Sequence, residues 1–252
     1  MLKTRIMPTM LFKDLGLVKG VAFDSWRRVG SIMQTVKVYN MREVDELVFL
    51  DITATREGRA PDFETIDELA DECFMPLTVG GGVRSVEDVR RLLQVGADKV
   101  ALNTMAMEQP TLIREVATRF GSQCVVVSID TRQHPDGRHE VFIRSGTQAT
   151  GRDPVEAARE AEALGAGEIL LTSIDRDGTM QGYDLDLIRL VSRAVAIPVI
   201  ASGGAGNFEH MAEAILDAHA SAVAAASIFH FTQQTPREAK QHLHSRGIAM
   251  RL

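Results

Sequence analysis

Carboxylates recur in this sequence where apolar runs end. Asp130 closes Val127-Ser128-Ile129-Asp130, Asp51 follows Glu46-Leu47-Val48-Phe49-Leu50, and Asp175 and Asp177 lie in Ser173-Ile174-Asp175-Arg176-Asp177-Gly178-Thr179. An acid held at a strand end can give or take a proton in general acid/base chemistry. A single such Asp could equally cap a turn, but four acids at three strand ends exceed what capping needs. They are read as facing one substrate, with Asp130 as the candidate catalytic group. Glycine pairs end two further runs, Gly81-Gly82 after Thr78-Val79-Gly80 and Gly203-Gly204 after Ile200-Ala201-Ser202. A tight glycine turn beside a helix N-terminus aims backbone N–H groups at one point, and the helix dipole favours an anion there. Gly81 and Gly82 with Asn103 and Thr104 predict one phosphate cradle; Gly203 and Gly204 with Ala226 and Ser227 predict another. Two cradles imply a substrate with two phosphates.

The elements that must position these groups repeat. Met75-Pro76-Leu77-Thr78-Val79-Gly80-Gly81-Gly82 aligns with Ile197-Pro198-Val199-Ile200-Ala201-Ser202-Gly203-Gly204 at an offset of 122 residues, and Glu46–Leu50 aligns with Glu168–Thr172 at the same offset. Eight short apolar runs stand at about 5–11, 46–52, 76–80, 98–102, 124–130, 168–174, 197–202 and 222–226. Between them, segments such as 86–93 and 154–161 carry apolar residues every three to four positions, the helical spacing. Alternating strand and helix with right-handed crossovers, duplicated at half length, predicts one α/β domain over 1–252. It is a (β/α)8 barrel of two half-barrels, about 1–122 and 123–252. The longest predicted loops, Lys13 to Arg28 and Thr131 to Gly151, occupy equivalent places after the first and fifth strands, on the face where such barrels carry their active sites.

Composition agrees with this architecture and excludes others. The chain has 252 residues, 45% of them hydrophobic, enough for a barrel interior and a helix layer, and a formal net charge of −6 disfavours nucleic acid or an anionic membrane as partner. Cys73 and Cys124 are the only cysteines, without a Cys-x-x-Cys or Cys/His cluster, so no disulfide framework, metal or cofactor is expected. The start, Met1 to Arg5, lacks a long apolar core, and no run of about 18 apolar residues occurs. A cytoplasmic protein is the expectation.

Longer blocks carry a family likeness. Lys19, Asp51, Thr78–Gly82, Gly96–Val100, Gly165–Thr179 and Ile200–Gly206 together resemble the cyclase subunit of imidazole glycerol phosphate synthase, over about Arg5 to Arg251. The resemblance implies a heterodimer with a glutaminase subunit docked on the N-terminal face of the barrel. Ammonia would pass through the interior to a bis-phosphate aminoimidazole precursor, giving imidazole glycerol phosphate and an aminoimidazole carboxamide ribotide. It also implies that Lys19, Asp51, Asp177 and Gly178 join the cradles in holding substrate. Arg5, Glu46, Lys99 and Glu168 match the family's charged ring at the ammonia entrance, and their places at the starts of the first, second, fourth and sixth strands suit a ring of alternating charge.

One family residue is missing. The reaction uses aspartates at the ends of the first and fifth strands, and aligning Arg5–Leu11 on Cys124–Asp130 puts Leu11 opposite Asp130. Leucine transfers no proton. Thr9 stands where the family usually has cysteine, and its Lys-Asp-Gly-Arg loop reads Lys13-Asp14-Leu15-Gly16-Leu17; Asp14 could replace the lost acid only by a loop rearrangement. Members with an apolar residue at the first-strand position look like paralogues from surface-sugar pathways. There, barrel and glutaminase are thought to supply ammonia to a sugar amidotransferase that builds an acetamidino group. Met41–Glu46 and Cys73–Leu77 look closer to that branch. Three readings follow. The first is an ammonia-channelling paralogue with weak or absent cyclase activity. The second is a histidine-pathway cyclase in which Asp130 serves alone or with Asp51, Asp177 or water. The third is a scaffold that only activates its glutaminase. The sister isomerase of histidine biosynthesis fits the Lys99/Glu168 ring less well.

Overall fold

The computed structural model describes residues 3–14 and 16–252; Met1, Leu2 and Leu15 lie outside the described residues, and with them part of the amino-terminal reading and the centre of Lys13–Leu17. The first half of the chain forms β1 (Arg5–Lys13), β2 (Gly16–Val21), β3 (Asp24–Gly30), α1 (Ile32–Met41), β4 (Leu47–Asp51), α2 (Phe63–Asp71), β5 (Leu77–Gly80), α3 (Val86–Gln94), β6 (Lys99–Leu102), α4 (Thr104–Glu108) and α5 (Thr111–Phe120). The second forms β7 (Val125–Gln133), β8 (His139–Ile143), β9 (Gln148–Ala149), α6 (Pro154–Ala163), β10 (Glu168–Ser173), α7 (Leu185–Ser192), β11 (Val199–Ser202), α8 (Phe208–Leu216), β12 (Ala222–Ala225), α9 (Ser227–Phe231) and α10 (Pro236–Ser245). No described helix is long and apolar enough to cross a membrane.

Eight strands pair in parallel in the order β1, β4, β5, β6, β7, β10, β11, β12, and β12 returns to β1, closing a (β/α)8 barrel. Parallel strands need helical crossovers and are covered on both faces, which is why these runs are almost continuously apolar. Side chains alternate in and out along each strand. The outward set packs on the helices, while Met7, Val48, Ala101, Val126, Leu170, Ile200, Ala222 and Ala224 form a separate apolar layer inside the barrel. The helices start where their sequences provide caps. Ser31, Asp62, Ser85, Asp153, Asp184, Asn207 and Thr235 each accept a first-turn amide, with reciprocal Asp88 and Glu238 partners at Ser85 and Thr235. Short α4 and α9 lack such a cap; the side chains of Asn103 and Ala226, which precede them, accept no first-turn amide.

The halves repeat in register as well as in order. Thr9, Leu11 and Phe12 of β1 lie beside Val48, Leu50 and Asp51 of β4. Ser128, Asp130 and Thr131 of β7, 119 positions beyond those of β1, lie beside Leu170, Thr172 and Ser173 of β10, 122 positions beyond those of β4.

Two expectations change. The segments read as long loops are antiparallel hairpins. β1 runs two residues beyond Leu11 to pair with β2, which pairs with β3; β7 runs on to pair with β8, and β8 with β9. Chain standing above the barrel mouth must satisfy its backbone donors, and ladder pairing does so. Asp14, at φ 56°, is consequently an exposed residue of the turn after β1 and does not reach the interior.

Candidate active site

A cavity of about 350 Å³ opens at the C-terminal end of the barrel strands, the side on which βα connections emerge. Inward positions of successive strands line its floor, with Thr9 and Leu11 from β1, Leu50 from β4, Ser128 and Asp130 from β7, and Leu170 and Thr172 from β10. The hairpins cover it from opposite sides. Ala22 N, at the turn of β2 and β3, donates to Asp177 O at 2.8 Å, and Ser145 Oγ, between β8 and β9, donates to Ile52 O at 2.7 Å. Each hairpin therefore rests on the other half-barrel.

The two glycine pairs form matching turns on the cavity wall. Gly81 and Gly82 stand at φ 106° and 74°, Gly203 and Gly204 at 89° and 112°, a region that side-chain-bearing residues avoid. A Cβ on Gly81 would lie 2.2 Å from Asp51 O, and one on Gly204 would lie 2.1 Å from Gly182 O. Asn103 and Thr104 flank the first pair, Ala226 and Ser227 the second, and all eight residues line the cavity. Ser227 Oγ and Thr9 Oγ1 are buried without a partner among the described residues. The cradles are not identical: Gly82 N donates to Thr55 Oγ1 at 3.2 Å, a hydroxyl that the sequence reading did not include.

Asp130 is 8% exposed, with Ser128 Oγ donating to its Oδ1 at 3.3 Å and Asn103 Nδ2 to its Oδ2 at 3.3 Å. Burial pushes its pKa up to about 7, against the bond from Ser128 and with the help of Asp177's charge. It is the one cavity carboxylate, among the described residues, that has no cation partner. Asp177 is bound by the buried Lys19 at 2.5 Å, and burial nonetheless holds its pKa above the ordinary value. Asp51 Oδ2 meets Arg59 at 3.2 Å while its Oδ1 accepts Thr53 N and Ala54 N, so it caps the turn after β4 as well as lining the cavity. Glu108 pairs with Arg144 at 2.7 Å. Gly178 also lines the wall, where a Cβ would lie 2.1 Å from Gly20 O of β2.

Asp175 is a correction. It is exposed, accepts Gln133 N at 2.8 Å and stands 3.7 Å from Arg132. It braces the turn end of the β7–β8 hairpin, where Gln133 pairs with His139, because the turn after β10 directs Asp177, two residues later, inward instead. Arg59, Arg84, Arg144, Phe23 and Trp26 line the cavity without having been anticipated. They sit on the hairpins and connecting loops, whose sequences carry no period to show which residue turns inward.

The opposite end of the barrel holds four charges in a closed ring. Arg5 lies 2.6 Å from Glu46 and 2.9 Å from Glu168, and Lys99 lies 2.9 Å from Glu46 and 3.1 Å from Glu168. Thr78 Oγ1 adds a bond to Glu46 Oε1 at 2.7 Å. Burial works to lower the pKa of Arg5, but Glu168 and Glu46 outweigh it and raise the value. Between ring and cavity lies the apolar interior layer, whose Ala101, Ala222 and Ala224 are small where barrel interiors usually carry bulky branched residues.

A family model described as histidine biosynthesis protein matches residues 5–235, a span that takes in all eight barrel strands, both glycine pairs and the charged ring. The chain belongs to the histidine biosynthesis protein family, whose barrel enzymes include an isomerase and a cyclase.

Proposed function

We propose that this chain is the synthase-type barrel of a glutaminase-dependent pair. It receives ammonia through the ring of Arg5, Glu46, Lys99 and Glu168, and it has diverged from cyclisation toward supplying ammonia for a sugar amidation that builds an acetamidino group. The observation that carries this reading is the register equivalence of Leu11 and Asp130. A reaction needing an acid and a base at these two strand ends has one carboxylate here, and the other cavity carboxylates are each held by a cation. Losing a positioned acid or base typically costs about 10²–10⁴ in rate. The sugar branch is supported by the likeness of Met41–Glu46 and Cys73–Leu77 to its members.

A second reading has its own support. Both glycine cradles are intact, and a conduit alone has no use for them, so a histidine-pathway cyclase working through Asp130 is the competing account. Ammonia-dependent turnover of the bis-phosphate precursor by the purified chain separates the two, at alkaline pH so that free ammonia replaces the glutaminase. Binding without turnover is expected. Turnover within the ordinary enzymatic range of about 1–10³ s⁻¹ would make the chain a cyclase. Sugar amidation is tested by combining chain, glutaminase and sugar amidotransferase. Glutamine-dependent product that disappears when the barrel is omitted supports the first reading. If Asp130→Asn leaves every output unchanged, the barrel serves only to activate its glutaminase.

A further inference from the structure

The turn between β8 and β9 stands over the first cradle in an unfavourable conformation. Arg144 and Ser145 have φ 53° and 56°, and Gly146 follows at 73°. Consecutive non-glycine residues in the left-handed region persist only where their surroundings over-determine them, and such strain concentrates at ligand clamps. Here the surroundings belong to the first half-barrel. Arg144 N donates to Thr104 Oγ1 at 3.1 Å, and Ser145 Oγ reaches Ile52 O. The turn thus delivers the Arg144 side chain to the cavity wall beside α4.

That side chain is half satisfied. Its NH2 donates to Glu108 Oε1 at 2.7 Å, whereas its Nε is buried and has no partner among the described residues. A buried donor left unpaired is costly and calls for an acceptor. The guanidinium fork matches phosphate oxygens, and the neighbouring Gly82 amide is already engaged by Thr55, so the first cradle has use for a further donor.

We propose that Arg144 is an anion-recognition residue of the first cradle, binding a phosphate monoester through the guanidinium donors that Glu108 leaves free, while Glu108 competes with the ligand for its charge. The proposal rests on the reading of that cradle as a phosphate site. It places a determinant of ligand affinity on the hairpin of the second half-barrel, so that a phosphate seated in the first half fastens the two halves together.

The test is calorimetric titration of ribose 5-phosphate, with ribose as the uncharged control. Fluorescence of Trp26, the chain's single tryptophan and a cavity residue, is followed alongside. Arg144→Gly removes the side chain while keeping a residue that accepts φ 53°, so the fold is retained, which thermal unfolding verifies. Its expected effect is about tenfold or more weaker binding, the scale of a charge-assisted bond. Glu108→Gln, by releasing the guanidinium, is expected to tighten binding severalfold. Unchanged affinity in Arg144→Gly overturns the proposal, as does weakening in Glu108→Gln, which would mark the pair as a mere staple. If the unmodified chain binds ribose 5-phosphate no better than ribose, the phosphate reading of the cradle falls, and the proposal with it.

Discussion

Leu11 occupies in the first half-barrel the position that Asp130 occupies in the second. Leu11 lies beside Leu50 as Asp130 lies beside Thr172, and each continues into an antiparallel hairpin, Leu11 opposite Val18 and Asp130 opposite Phe142. Both line the same cavity. The site is therefore a duplicated one in which one of the two equivalent carboxylate positions is apolar.

Leu11→Asp should restore the pair. We expect ammonia-dependent turnover of the bis-phosphate precursor to rise by about 10²-fold or more over the unmodified chain. Single-turnover assays check this. No gain in a folded variant would show that the cavity lacks more than this acid.

Asp130 makes stability depend on pH in a definite direction. Its pKa rises from 3.8 to about 7 on folding, so between those values the unfolded chain holds fewer protons than the folded one. The stability contributed by the neutral acid is whole below pH 4 and is lost as pH rises toward 7. Asp177, also raised, acts in the same sense. Asp130→Asn should flatten this slope and raise the urea midpoint at pH 8 relative to the unmodified chain, by a few kcal/mol in free energy. Equal slopes in the two proteins would contradict the assignment.

Glu46→Gln should cost the ring more than one contact. Glu46 is 2% exposed and bonds Arg5, Lys99 and Thr78, so its loss leaves two cations sharing Glu168. Breaking a buried ion network of this kind costs about 3 kcal/mol. Chemical denaturation at neutral pH measures it, and a change below about 0.5 kcal/mol, the range of ordinary surface substitutions, would mean that solvent already screens the ring.

Gly204→Ala and Gly137→Ala should separate cradle from ordinary turn. Both glycines have positive φ, 112° and 86°, but a Cβ at 204 collides with Gly182 O whereas nothing lies within 4 Å of one at 137. Gly137→Ala should lose about 1 kcal/mol of stability and keep ligand binding. Gly204→Ala should lose more and abolish binding at the second cradle, as read by precursor titration.

The sequence by itself determined the barrel, its duplication and the Leu11/Asp130 asymmetry. Strand periodicity, glycine turns and a repeat at 122 residues, 119 for the first strand, are written along the chain, and a side-chain period of two carries a register directly onto the interior face. The pairing of Arg5, Glu46, Lys99 and Glu168 was also legible, because residues that begin parallel strands of one closed barrel converge at one end. Only the tertiary structure decided the rest. Whether Lys13–Arg28 and Thr131–Gly151 are loops or hairpins depends on partners that these segments find above the mouth. Asp177 faces in and Asp175 faces out because of a turn that neither residue specifies. Arg144 and Thr55 reach the first cradle through contacts across 40 and 27 residues of chain, to Thr104 and Gly82. The proton affinity of Asp130 comes from desolvation by the assembled barrel. A linear pattern records which residues can pair, and the closed fold sets how far each is removed from water and what charge it meets there.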